Sequence, residues 1–124
     1  MLVPHLHFRG NCKEAIALYE KAFKTKAEKI QYDDNGNVGH AEMYIHDQRV
    51  MLNDRFGKIS RTTDIAIQVV IIFENKVQLT NCYEIMKEGS VTIDEIGETF
   101  YSPCVVIFID KFGVQWGFMV DEDI

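Results

Sequence analysis

A short apolar run, an amphipathic helix and then three further apolar runs occur in that order twice along these 124 residues. In the first half, residues 3–8 alternate as a strand. Ala15, Leu18, Tyr19, Ala22 and Phe23 then fall at i, i+3, i+4, i+7 and i+8, the apolar stripe of a helix that needs a sheet to lie on. Strand patterns follow at 27–32, 39–45 and 49–53, parted by the turn-rich Asp33-Asp34-Asn35-Gly36-Asn37 and by His46-Asp47-Gln48. In the second half, 64–73 is apolar and β-rich, and Leu79, Cys82, Tyr83 and Met86 form the stripe of a helix ending near Gly89. Strand patterns at 91–93, 101–109 and 114–120 complete it. The helix starts at Lys13 and Lys76 lie about half the chain apart, so two copies of one β-α-β-β-β module is the economical reading. The expected division is module one over about 1–55, a polar and basic linker over 56–63, and module two over about 64–124. Asn11 is expected to cap the first helix, with Glu14 as its reciprocal partner in a capping box.

The length suits one domain with a core of its own. With 13 basic against 19 acidic side chains the formal charge is −6, and no Lys/Arg cluster is dense enough to track a phosphate backbone. Neither nucleic acid nor an anionic membrane is an expected partner. Cys12, Cys82 and Cys104 are far apart, form no C-x-x-C pair and follow no secretory leader, which fits a reduced cytoplasm. The longest apolar stretch, 65–73, is interrupted by Gln68 and is too short to span a bilayer.

Candidate chemistry concentrates on one strand face. His5 and His7, and then His40, Glu42 and Tyr44, recur at every second residue, so each set shares a face while Leu6, Phe8, Ala41, Met43 and Ile45 point the other way. A half-exposed antiparallel sheet gives the same alternation. The residue types are what stand out: imidazoles and a carboxylate bind metal or move protons, where Lys, Thr or Ser would only solvate. His40 and Glu42 are the candidate catalytic pair. With His5 or His7 they also have the 2-His-1-carboxylate composition of a non-haem iron site. Phe100, Tyr101 and Trp116 could clamp a planar ligand, although Trp116 equally suits the core under the second helix. His46 belongs to a hairpin and should be exposed, Cys82 belongs to the core stripe, and Asp110 before Lys111-Phe112-Gly113 reads as turn chemistry. A nucleophilic Cys12 would need its thiol turned to the helix N-terminus, and no histidine neighbour is identifiable for it.

Pro4-His5-Leu6-His7-Phe8-Arg9-Gly10-Asn11, Ala15 and Tyr19, His40-Ala41-Glu42 with Met51-Leu52-Asn53-Asp54, Glu98-Thr99-Phe100-Tyr101, and Asp110 to Trp116 together resemble the PhnB-like branch of the glyoxalase/bleomycin-resistance/dioxygenase superfamily, the vicinal oxygen chelate fold. The resemblance implies an α+β fold of two βαβββ modules whose curved mixed sheets surround a cavity, with helices on the outer faces, in a homodimer. It places His5, His7, His40, Glu42 and Tyr44 toward the cavity, with Gln68, Phe100 and Tyr101 as further ligand-binding candidates.

In the metal-dependent relatives the ligands come from the first and last strands of each module. Here His5 or His7 is available on the first strand. Leu52 or Asn53 stands where a glyoxalase has a carboxylate, Gln68 is the nearest polar residue for the third position, and Gly117 replaces the last carboxylate. Two or more ligands are missing, so no resident cofactor is expected; the alternative is a divalent metal held by His5, His7, His40 and Glu42. Some members carry a ubiquinone-pathway methyltransferase label, but this chain lacks the glycine-rich loop and acidic ribose anchor of a nucleotide-cofactor fold. The expected function is therefore cytoplasmic binding of a small organic molecule. The alternatives are a metal-dependent lyase, isomerase or dioxygenase, or a resistance-type protein whose acidic surface attracts and sequesters a cationic drug.

Overall fold

A computed structural model describes residues 1–56 and 66–121. The chain separates into two compact units, Met1–Thr62 and Thr63–Ile124. The expected linker, from residue 57 onward, and the first two residues of the 64–73 strand pattern lie outside the described residues.

The first unit runs β1 (His5–Phe8), α1 (Cys12–Phe23), β2 (Glu28–Tyr32), β3 (Val38–Ile45) and β4 (Gln48–Asp54). Its sheet has the order β1-β4-β3-β2, with β1 parallel to β4 and the other pairs antiparallel. The second unit runs β5 (Val69–Phe73), α2 (Lys76–Met86), β6 (Val91–Thr99), β7 (Ser102–Ile109) and β8 (Gln115–Val120). Its sheet repeats the plan as β5-β8-β7-β6, with only β5 and β8 parallel. The fold is thus α+β, two βαβββ modules each with a mixed four-stranded sheet and one helix. None of the helices among the described residues is long and apolar enough to cross a membrane.

Each helix covers one face of its own sheet. Under α1, Tyr19, Ala41, Met43 and Leu52 are fully buried. The helix is rotated slightly from the expected stripe, so that Ile16 is buried and Leu18 only half-buried. Under α2, Leu79, Met86, Phe108, Trp116 and Phe118 are fully buried, with Tyr83 half-buried beside Phe108. Burying side chains of this size stabilises each unit by about 1.5–3 kcal/mol apiece. Trp116 is therefore core, and its Nε1 donates to Asp110 Oδ2 at 2.8 Å. The other oxygen of Asp110 accepts from the amides of Phe112 and Val114, which is the expected turn chemistry, and Gly113 sits at φ +93° within that turn.

Three local expectations are corrected. Asn11 makes no side-chain cap to α1; Asp54, at the end of β4, takes the role, its Oδ1 accepting from the amides of Gly10 at 2.8 Å and Cys12 at 3.0 Å. An ionised carboxylate at a helix N-terminus serves the free amides better than a neutral amide, and the parallel β1–β4 pairing brings it there. Helix α2 ends at Met86 with Lys87 as its cap, so Gly89, at φ +73°, serves the turn that follows instead of the C′ position. Finally, β6 extends to Thr99, well beyond 91–93, whereas β5 begins only at Val69.

Candidate functional site

The face of the first sheet turned away from α1 is polar, and the hairpin between β3 and β4 sets its register. His46 and Asp47 both adopt positive φ, the two-residue turn that matches strand twist, which pairs Ile45 with Gln48, Tyr44 with Arg49 and Glu42 with Met51. Parallel pairing then lays His5 beside Met51 and His7 beside Asn53. The outcome is a patch on which His5, His7, His40, Glu42 and Tyr44 share a face with Arg49 and Asn53.

Glu42 is the centre of the patch. Its side chain is only 7% exposed, and its Oε2 accepts from His40 Nε2 at 2.7 Å. Its Oε1 lies 3.2 Å from Arg49 Nε and 3.9 Å from Lys29 Nζ. The two contacting atoms are buried but not aligned for a hydrogen bond, and the rest of the Arg49 side chain reaches solvent. Lys29 reaches the patch because β2 carries a bulge there, with Lys29 itself at φ +53°. The His40 hydrogen bond, and then the charges of Arg49 and Lys29, hold the Glu42 carboxyl below the ordinary carboxylate range against the opposing effect of burial. Glu42 is thus a fixed anion, committed to its neighbours. Because His40 donates through Nε2, its Nδ1 is left as an acceptor with no partner among the described residues, on a side chain 30% exposed.

The other two histidines lie at the β1 edge of the patch. His7 donates from Nδ1 to Asn53 Oδ1 at 2.7 Å, leaving Nε2 to accept from Arg55 at 3.4 Å. His5 lies against His7, with ring centroids 4.4 Å apart. Partial burial, and then Coulombic repulsion from His7 and His40 in their protonated forms and from Arg55, pull the His5 pKa below its ordinary 6.5. Tyr44 is exposed at the far edge.

These shifts have a pH signature. A lowered His5 pKa means that the unfolded chain takes up the proton first. Stability is then full above pH 6.5 and falls as pH drops from there toward the folded pKa. Glu42 adds a second loss below its ordinary 4.5, complete once pH passes its depressed folded value. Thermal unfolding from pH 8 to 3 should show both limbs, with His5→Leu removing only the upper one. An unchanged upper limb in that variant would refute the assignment.

The open face of the second sheet is different in character. Gln68, Val70, Tyr101, Val105, Ile107, Gly117 and Met119 line a depression of about 150 Å³. Gln68 Oε1 accepts from Gln115 Nε2 at 2.7 Å. Tyr101 stands at its rim, edge-on to Phe100 at 5.1 Å, while Phe100 is 94% exposed and outside the lining. A roomier depression of about 510 Å³ beside the C-terminal end of α1 is lined by Lys21, Lys24, Lys26 and their neighbours, and touches none of these residues.

The model of the Glyoxalase/Bleomycin resistance protein/Dioxygenase superfamily matches residues 3–118. The chain belongs to that superfamily. Two solved structures share the fold with a TM-score of 0.86 each: protein PA1353 from Pseudomonas aeruginosa, at 22% identity over 99% of this chain and 98% of the other, and the PhnB protein from Bacillus cereus, at 21% over 96% and 98%. TioX from Micromonospora sp. ML1 is more distant, with a TM-score of 0.70 at 14% identity over 98% of each chain. No curated protein matches the chain.

Measured against the metal-dependent members of the glyoxalase superfamily, the residues present do not fit a metal. Leu52 is fully buried under α1, leaving Asn53 on the open face and already accepting from His7. Gly117 offers no ligand atom from its side chain, and the Gln68 amide lies over it. Among the described residues no group of three or more His, Cys, Asp or Glu could hold a metal ion. The alternative set is drawn into separate pairs: Glu42 Oε2 and His40 Nε2 hold each other at 2.7 Å, while His7 is engaged by Asn53 and Arg55. Cys12 is fully buried, and desolvation, followed by Asp54 and Glu14, pushes its thiol up to about 12, which removes it as a nucleophile. Cys82 is buried in the core and His46 exposed, both as expected.

Sequence reasoning missed Lys29, Arg49 and Arg55. Arg49 was within reach of it, since the two-residue hairpin turn already places it opposite Tyr44. Lys29 was not, because a bulge leaves no period to read.

Proposed function

We propose that this superfamily member is a small-molecule-binding protein of the PhnB-like kind, working in the cytoplasm as a homodimer, and that the polar face of module one grips its ligand. The observation that carries the reading is the commitment of Glu42. A carboxylate hydrogen-bonded to His40 and set beside the charges of Arg49 and Lys29 is a poor proton acceptor, yet it fixes the tautomer and aim of His40. His40 Nδ1 then accepts from the ligand, and His5, with its pKa lowered, serves beside it as a neutral donor or acceptor. The local charge favours a neutral or anionic ligand over a cationic drug, because Lys29, Arg49 and Arg55 outnumber Glu42 and the Glu28 opposite it even though the whole chain is acidic.

A thermal-shift screen of small organic acids, amides and alcohols tests this. Compounds that stabilise the native protein should lose about tenfold in affinity on His40→Ala, equivalent to about 1.4 kcal/mol, and nothing on His46→Ala. The metal-dependent reading would replace this one if elemental analysis of protein purified without chelator gave about one divalent ion per chain, lost on His40→Ala or Glu42→Gln.

A further inference from the structure

The depression on the open face of module two is walled by Val70, Val105, Ile107 and Met119, and its polar groups come from Gln68 and Tyr101. Its volume of about 150 Å³ is that of an apolar cavity able to accept a single benzene ring. Gly117 supplies the floor. It does not adopt the left-handed backbone reserved for glycine, so conformation does not require a glycine there. Space does: a Cβ at 117 would stand 2.5 Å from Gln68 Nε2 and 3.0 Å from its Cδ. The absent side chain lets the amide lie flat on β8.

The same amide is held in one orientation. Its Oε1 accepts from Gln115 Nε2 at 2.7 Å, which leaves Nε2 without a partner among the described residues. A pinned donor at the floor of an apolar pocket discriminates strongly, because a ligand that covers it without accepting a hydrogen bond leaves it unsatisfied. Tyr101 at the rim gives an aromatic wall against which a ring can pack.

We propose that module two carries its own binding site, which takes a single six-membered ring bearing a carbonyl-type acceptor, with Gln68 Nε2 donating to that oxygen and Gly117 setting the depth. The site rests on the reading of this chain as a small-molecule binder but not on the histidine patch.

Acetophenone and ethylbenzene, similar in size but differing in the acceptor, are the probes. Titrating each into the 15N-labelled full chain should shift the amide signals of Val70, Val105, Gly117 and Met119, and the Gln68 side-chain amide with acetophenone only. Acetophenone should bind about five- to tenfold more tightly, as one hydrogen bond to a half-buried donor that the ligand covers predicts. Gln68→Leu should abolish that preference while ethylbenzene still binds. Gly117→Ala should weaken both by driving the amide into the pocket, with far-UV circular dichroism confirming that each variant is folded. Equal affinities in the native protein, or no shifts at millimolar acetophenone, would overturn the site. Shifts confined to His5, His7 and His40 would overturn it too, while leaving the module-one reading intact.

Discussion

Trp116→Ala is expected to destabilise module two by about 3–5 kcal/mol, the cost of emptying a fully buried aromatic site in a core that relaxes only partly. The indole does more than fill volume, since its Nε1 donates to Asp110 Oδ2, and Asp110 organises the turn before β8 through the amides of Phe112 and Val114. Trp116→Phe separates the two contributions: it keeps most of the ring but deprives Asp110 of a donor, for an expected loss of about 1–3 kcal/mol. Urea titration followed by far-UV circular dichroism measures both, with the midpoint falling and the slope unchanged. Tryptophan fluorescence cannot be used, because Trp116 is the only tryptophan in the chain. Equal losses for the two variants would mean that the hydrogen bond, and not the packing, dominates.

Asp54→Ala is the second large effect. That carboxylate accepts from Gly10 and Cys12 through Oδ1 and from Val38 through Oδ2 at 2.9 Å, so one side chain ties the start of α1 and the start of β3 to the end of β4. Removing it strands three backbone donors and should cost about 3–5 kcal/mol, or roughly 10 °C or more in Tm for a domain of this size. Asn11→Ala, at the position that looks like the cap, should cost less than about 0.5 kcal/mol. If the two variants exchanged these values, the capping role would return to Asn11.

That contrast shows where the sequence is readable. The helix stripes and the β3 alternation depend on residues a few positions apart, so Tyr19, Met43, Leu79 and the shared face of His40 and Glu42 follow from spacing alone. Asp54 acts on an amide 42 residues away, and nothing in the order of side chains announces it. Gln68 and Gly117 are likewise joined only by the parallel β5–β8 pairing, which sets Val70 against Gly117. As isolated letters they read as two lost metal ligands, whereas together they are a positioned amide. The charges around Glu42 were missed for another reason: a lysine or arginine in a strand usually marks solvent, and only the register, or for Lys29 a bulge, shows that its head stands beside Glu42.

Strand β6 has a consequence for how this protein survives at high concentration. It lies at the border of its sheet with Val91, Ile93 and Ile96 exposed, the kind of apolar ribbon on which another chain could add a strand. Asp94, Glu95 and Glu98 are interleaved along it, and its pairing with β7 slips between Thr92 and Asp94, between Asp94 and Gly97, and again before Thr99. A strand that keeps losing register offers a poor template for an incoming ladder, and a second copy meeting it edge to edge would set like charges against each other. The irregularity of β6 thus acts as a guard against fibre growth, and smoothing it for the sake of stability would remove that guard.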